Sequence, residues 1–127
     1  MSTTESLIFS QTGYLDEPVR DGQGDFIFGY GFKNITEEEA RLIMTLRVEH
    51  IREMLRYIVR CFNRLSSNRQ DALIAMAYRF GADSITGKLL DALEFEQYER
   101  AAREMSAAME KHGFPKSGEL AKLMVVG

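Results

Sequence analysis

The chain has 127 residues, of which 45% are hydrophobic, 28% are charged and two are prolines. This composition is ordinary for a globular protein and argues against disordered tails, and the length fits a single domain over residues 1–127 with a core of its own. The 16 basic and 19 acidic side chains are interspersed and give a net charge of −3, so nucleic acid is not a favoured partner.

Cysteine and histidine are too few to build a metal centre or a disulfide. Cys61 is the only cysteine, and the two histidines, His50 and His112, lie far apart in sequence. We expect no metal and no cofactor. The N-terminus lacks a positive region followed by an apolar run, and no stretch of about eighteen apolar residues occurs, so we expect no secretion signal and no contact with a membrane.

Residues 14–32 predict a β-hairpin. Asp21 and Gly22 lie in a turn-favouring segment, and residues 25–32 form an aromatic second strand punctuated by glycine. Thr36 follows as a helix cap, with Glu39 three residues later as its capping-box partner.

Apolar residues at intervals of three and four predict one long amphipathic helix over residues 40–62. Ser67 and Gln70 repeat the capping-box pattern before a helix over residues 68–80, which Gly81 ends. Shorter helices are expected over residues 87–93 and 95–112, then a last turn or two after residue 117. The methionines fit gap-filling core positions, and the arginines between residues 47 and 64 fit a solvated face paired with Glu49 and Glu53. This order of elements predicts an α+β domain of two unequal lobes.

Several strings of this sequence resemble the phage-type lysozymes of glycoside hydrolase family 24. They are, in chain order, Tyr14-Leu15-Asp16, Phe28-Gly29-Tyr30-Gly31, ITEEEA at 35–40, NRQDALI at 68–74, YRFG at 78–81, KLL at 88–90 and YERAA at 98–102. The resemblance spans residues 14–105. It implies a lysozyme-like fold with a small N-terminal β-hairpin lobe, a long connecting helix and a helical C-terminal lobe.

The resemblance also implies which residues would carry catalysis. The family uses a glutamic acid at the end of a short first helix, an aspartate just after the tyrosine and a threonine on the next strand, and glycoside hydrolysis requires two carboxylates that flank the bond. Asp16 matches the aspartate. An ungapped alignment puts Leu7 at the acid and Ile27 at the threonine, and Phe32 replaces the histidine that closes the family's Gly-Tyr-Gly motif.

Two other carboxylates are candidate acids. Glu5 aligns only if two residues are inserted before Tyr14, and we expect the four residues ahead of it to be too few for the family's first helix. Glu17 is adjacent to Asp16 on an extended segment, so the two side chains should point to opposite faces. The sequence therefore predicts a catalytically degenerate member of the family.

We interpret the chain as a non-enzymatic, lysozyme-like phage or prophage protein that acts through protein–protein contacts, as a virion tail or baseplate component or a small inhibitor. A viral or host protein would be the partner, and the location would be the host cytoplasm or the virion. The candidate contact residues are Phe26, Phe28, Tyr30 and Phe32, unless alternate aromatics simply fill the small lobe. The alternatives are an atypical muramidase, with Glu5 or Glu17 as acid and Asp16 as nucleophile or base, and a protein that binds peptidoglycan without hydrolysing it.

Overall fold

The structure is a computed structural model that describes residues 2–112 and 118–127. In these residues the chain forms six α-helices, two short 3-10 turns and one antiparallel hairpin, which confirms the predicted α+β class. The elements are α1 (Thr3–Thr12), β1 (Leu15–Arg20), β2 (Phe26–Gly29), α2 (Glu37–Ile58), α3 (Ser67–Phe80), α4 (Gly87–Glu94), α5 (Tyr98–Lys111) and α6 (Gly118–Val126), with 3-10 turns at Phe62–Arg64 and Ala82–Ser84. The chain divides into two compact units, unit 1 (Met1–Ile43) and unit 2 (Met44–Gly127).

The hairpin of unit 1 has shorter strands than the sequence predicts. Leu15 pairs with Gly29 and Val19 with Ile27, with a register irregularity between these two pairs. Strand β2 ends at Gly29 because the backbone then folds back on itself, and the Phe28 N–H donates to the Phe32 carbonyl at 3.0 Å. The predicted strand over residues 25–32 is therefore a four-residue strand followed by a tight turn.

Helix α1 is an element that the sequence analysis did not predict. The Ser2 hydroxyl oxygen accepts a hydrogen bond from the Glu5 N–H at 3.1 Å and caps the helix, which ends at Gly13 with a left-handed φ of 68°. Glu5 lies in the first turn of α1 and not at its end, so this helix does not place Glu5 where the resemblance puts the catalytic acid.

Helix α2 begins with the predicted capping box. The Thr36 N–H donates to the Glu39 carboxylate at 2.9 Å, and the Glu39 N–H donates to the Thr36 hydroxyl at 3.1 Å. The helix ends at Ile58, four residues early, because the chain tightens into the 3-10 turn that buries Phe62. Ion pairs join Arg52 to Glu49 and Arg56 to Glu53. Arg56 is exposed as expected for a solvated face, whereas Arg52 is half-buried.

Two other helix starts differ from the prediction. Ser66, and not Ser67, caps α3, and its hydroxyl accepts from the Arg69 N–H at 3.3 Å. Helix α5 starts three residues late because Phe95 ends α4 and Glu96 takes a left-handed φ of 57°. Helix α3 ends at Gly81 as predicted. The predicted helix end at Gly113, the break at Pro115 and the cap at Ser117 lie outside the described residues.

The hydrophobic core lies in unit 2. Helices α2 to α6 each contribute a side chain with no exposed surface, namely Leu55, Leu73, Leu89, Met105 and Met124. Met76, Met105, Met109 and Met124 are buried, which confirms the predicted core role for these four, whereas Met44 is 48% exposed. In unit 1, by contrast, no residue from 2 to 43 is buried. Most hydrophobic stabilisation therefore comes from unit 2.

Candidate functional site

A pocket in unit 1 lies between helix α1 and the turn that follows β2. Its volume is about 490 Å³, and it is lined by Glu5, Ile8, Phe9, Tyr30 and Phe32. The Phe9 and Tyr30 ring centroids are 5.7 Å apart, which joins the helix to the turn. Glu5 is the single carboxylate among these lining residues, and the other four side chains are apolar or aromatic.

Two glycines allow the turn to approach its neighbours this closely. A Cβ atom on Gly31 would lie 3.0 Å from the Thr12 methyl group, and a Cβ on Gly29 would lie 2.9 Å from the ring of Phe32. Both residues have a left-handed φ, 58° at Gly29 and 86° at Gly31, which favours glycine. The sequence Gly29-Tyr30-Gly31 therefore sets the positions of the Tyr30 and Phe32 rings beside α1.

Four aromatic side chains around the pocket form what we call the aromatic surface: Phe9, Tyr14, Tyr30 and Phe32. Each is exposed, from 42% at Phe32 to 66% at Tyr14. Tyr14 also contacts Tyr30, with ring centroids 5.7 Å apart. Aromatic side chains that remain this exposed are typical of contact surfaces.

The four aromatic residues that the sequence predicts as contact residues do not lie on one surface. Tyr30 and Phe32 line the pocket, whereas Phe26 lies at the start of β2, with the guanidinium of Arg20 4.4 Å from its ring centroid. Phe28 is half-buried and packs edge-on against Phe32 at 5.8 Å. Sequence reasoning missed Ile8, Phe9 and Tyr14 as residues of this surface, and the run Leu7-Ile8-Phe9 was the available signal for the first two.

The three candidate catalytic carboxylates do not all line the pocket. Glu5 lines the pocket, while Asp16 and Glu17 are exposed on β1, in the segment where the strand register is irregular, and neither lines the pocket. Leu7 is 60% exposed on α1, and Ile27 is half-buried opposite Val19. Of the residues that the family resemblance singles out, the pocket therefore contains Glu5 and Phe32 but not Asp16.

At the other end of the hairpin, the turn is ordered by one carboxylate. Asp21 accepts hydrogen bonds from the N–H groups of Gln23 at 2.8 Å and Asp25 at 3.0 Å, and the Lys33 ammonium lies 3.4 Å away. The Gln23 N–H, together with the Asp25 N–H and Lys33, holds the pKa of the Asp21 carboxyl below its ordinary value, although partial desolvation opposes this. These bonds fix the loop that connects β1 to β2.

Neither a metal centre nor a membrane span is found in the part of the chain that the structure describes. No three histidine, cysteine, aspartate or glutamate side chains gather there in a way that would hold a metal ion. None of the described helices combines the length and the apolar character needed to cross a bilayer.

Comparison with known proteins identifies a family. The family model described as Phage lysozyme matches residues 10–122, which is most of the chain. No curated protein and no solved structure matches. The matched segment contains the hairpin, its turn and the helices from α2 to α5, and it begins after Glu5.

Proposed function

The chain belongs to the phage lysozyme family, and from this premise we propose that it binds another protein through the aromatic surface of unit 1 and does not hydrolyse glycan. The family relates the chain to peptidoglycan. The observation that carries the proposal is the lining of the pocket, in which Glu5 stands among Ile8, Phe9, Tyr30 and Phe32 without a second carboxylate.

Hydrolysis of a glycosidic bond needs two carboxylates that flank it, about 5 to 9.5 Å apart. Asp16, the residue that resembles the family's aspartate, is not among the residues that line the Glu5 pocket. Phe32 lies in that pocket at the place where the family resemblance puts a histidine. The phenyl ring of Phe32, unlike an imidazole, neither donates nor accepts a strong hydrogen bond, so this part of the pocket suits an apolar side chain better than a hydrated sugar.

A protein partner fits the chemistry of the aromatic surface. Tyrosine and phenylalanine bury large areas at little cost in side-chain entropy, and such residues dominate binding energy at interfaces. Unit 1 leaves Phe9, Tyr30 and Phe32 each more than 40% exposed. We propose that they contact a viral or host protein. This chain would then be a component of a virion tail or baseplate, or a small inhibitor of that protein.

The test compares a surface variant with a matched control. The double substitution Tyr30→Ser with Phe32→Ser should abolish capture of the partner from phage-infected cells and leave the urea midpoint of unfolding of unit 2 unchanged. Tyr57→Ser removes another exposed aromatic, 89% exposed on α2, and should not affect capture. A partner captured equally by all three proteins would exclude the aromatic surface.

One observation favours a second candidate, an atypical muramidase. Glu5 lines the pocket beside the turn that follows β2, which supports a role as general acid with Asp16 as nucleophile or base. Purified protein would then release reducing sugar from cell walls, and both Glu5→Gln and Asp16→Asn would stop it. We expect no release from any of the three proteins. A third alternative is that the chain binds peptidoglycan without hydrolysing it. Protein that sediments with insoluble wall material but releases no reducing sugar would support that alternative.

A further inference from the structure

The pocket in unit 1 places a carboxylate beside aromatic rings. Glu5 precedes Ile8 by three residues and Phe9 by four, so these three side chains lie on one face of α1, and all three line the pocket. The other lining residues, Tyr30 and Phe32, come from the turn that follows β2. Glu5 is exposed, as are the three rings. Both the carboxylate and the rings are therefore accessible to a partner.

The charge of Glu5 is not neutralised within unit 1. None of the ion pairs among the described residues involves Glu5. The basic side chains of unit 1 each contact a group that does not line the pocket. These contacts are Arg20 with the ring of Phe26, Lys33 with the carboxylate of Asp21, and Arg41 with that of Glu37.

Unit 1 as a whole is acidic. Residues 1–43 contain eight acidic and three basic side chains, a net charge of −5, whereas residues 44–127 contain eleven acidic and thirteen basic side chains. The net charge of −3 of the whole chain therefore hides an acidic unit 1. Such a surface attracts a basic partner and repels an acidic one.

A partner that covers the pocket has to compensate the charge of Glu5. Removing a carboxylate from water without an ion pair or hydrogen bonds is strongly unfavourable, so an entirely apolar partner surface would bind poorly. An arginine side chain meets each requirement of the lining. Its guanidinium donates two parallel hydrogen bonds to a carboxylate, its flat face stacks on aromatic rings, and its methylene stem contacts apolar groups. Lysine supplies the charge without the planar fork.

We propose that an arginine side chain of the protein partner enters this pocket, an inference that rests on the proposed function. Its guanidinium pairs with the Glu5 carboxylate, and its stem and flat face contact the rings of Phe9, Tyr30 and Phe32. The partner's contact surface is therefore basic, and binding weakens as the salt concentration rises.

The test uses two peptides that differ only in the charge of one side chain. One is the acetylated and amidated pentapeptide Gly-Leu-Arg-Leu-Gly, and in the other the neutral isostere citrulline replaces arginine. Titration of the full chain is followed through the ring resonances of Phe9 and Tyr30. The arginine peptide should shift both resonances and bind at least about tenfold more tightly than the citrulline peptide.

A pair of variants assigns this preference to one carboxylate. Glu5→Gln removes the charge and keeps the shape, so it should lower the affinity for the arginine peptide to that for the citrulline peptide. Glu38→Gln is the matched control, because it removes one charge from unit 1 at an exposed position that does not line the pocket. Equal affinities of the wild type for the two peptides, binding of neither, or equal losses in the two variants would each overturn the proposal.

Capture from phage-infected cells separates this proposal from the function on which it rests. Capture that Tyr30→Ser with Phe32→Ser abolishes and Glu5→Gln leaves intact would overturn the arginine contact and keep the proposed function. Capture that neither change weakens would overturn both. A second copy of the chain as the source of the arginine would give a mass that rises with concentration in the wild type and not in Glu5→Gln, and would overturn the choice of partner.

Discussion

The guanidinium of Arg69 lies 3.4 Å from the ring centroid of Tyr98, and its Nε donates to the Met124 carbonyl oxygen at 2.8 Å. Its terminal nitrogen also donates to the Val125 carbonyl at 3.2 Å. The last carbonyl groups of a helix have no partner within the helix. One side chain of α3 therefore stacks on α5 and satisfies the C-terminal end of α6, which joins three helices of unit 2.

Replacing Arg69 by alanine should lower the free energy of unfolding by about 2 kcal/mol, because both the stacking on Tyr98 and the two charge-assisted hydrogen bonds are lost. Urea unfolding measures the loss, and amide exchange should show α6 losing protection first. Arg100→Ala is the matched control, since Arg100 bonds the side chain of its neighbour Gln97 at the protein surface. Equal losses for both variants would contradict the role assigned to Arg69.

A second prediction concerns the cap of α3. Ser66→Ala should cost about 1 kcal/mol, because the Arg69 N–H loses its acceptor at the helix start. Ser67→Ala should change stability little, since Ser67 is already inside the helix. Urea unfolding of the two variants measures this difference, and the reverse order would mean that Ser67 is the cap.

The same pair of serines shows what local sequence does not determine. Ser67 and Gln70 match the capping-box pattern better than Ser66 and Arg69 do, yet the Gln70 amide donates to the carbonyls of Phe62 and Leu65. Those carbonyls are available because the chain tightens into a 3-10 turn after α2. The choice of cap therefore depends on how the preceding segment folds, which the pattern of α3 alone does not contain.

Elements whose signals are local were predicted well. Thr36 with Glu39 started α2, and Gly81 ended α3, because a capping box and a left-handed glycine depend on adjacent residues. Helix α1 was missed because its apolar residues Leu7, Ile8 and Phe9 are consecutive and do not recur with helical periodicity. The pocket in unit 1 was therefore predicted only on its hairpin side, at Tyr30 and Phe32.

Gly29 provides a test of how the turn positions Phe32. Gly29→Ala should destabilise the hairpin by roughly 1–2 kcal/mol, because the new Cβ would meet the Phe32 ring at 2.9 Å and φ is 58°. Chemical shifts of Phe32 and Tyr30 should move with it. Gly22→Ala is the control, since a Cβ there meets nothing within 4 Å and the φ of Gly22 is not left-handed. Unchanged Phe32 shifts in Gly29→Ala would contradict the close approach.

Acid should loosen the turn between β1 and β2 through Asp21. Folding lowers the pKa of the Asp21 carboxyl below its ordinary value of 3.8, first through the hydrogen bond from the Gln23 N–H. The unfolded chain therefore takes up the proton at higher pH than the folded chain. The stabilising contribution is present in full above the unfolded pKa and is lost as the pH falls through the folded pKa.

The amide proton shifts of Gln23 and Asp25 measure this loss, because both N–H groups donate to the Asp21 carboxylate. Their chemical shifts should titrate together, with one midpoint below 3.8. The Asp21→Asn variant is the control, since its amide oxygen still accepts hydrogen bonds but does not titrate in this range. Titration of the two amides that persists in this variant would assign the effect to another carboxyl, and a shared midpoint above 3.8 would contradict the lowered pKa.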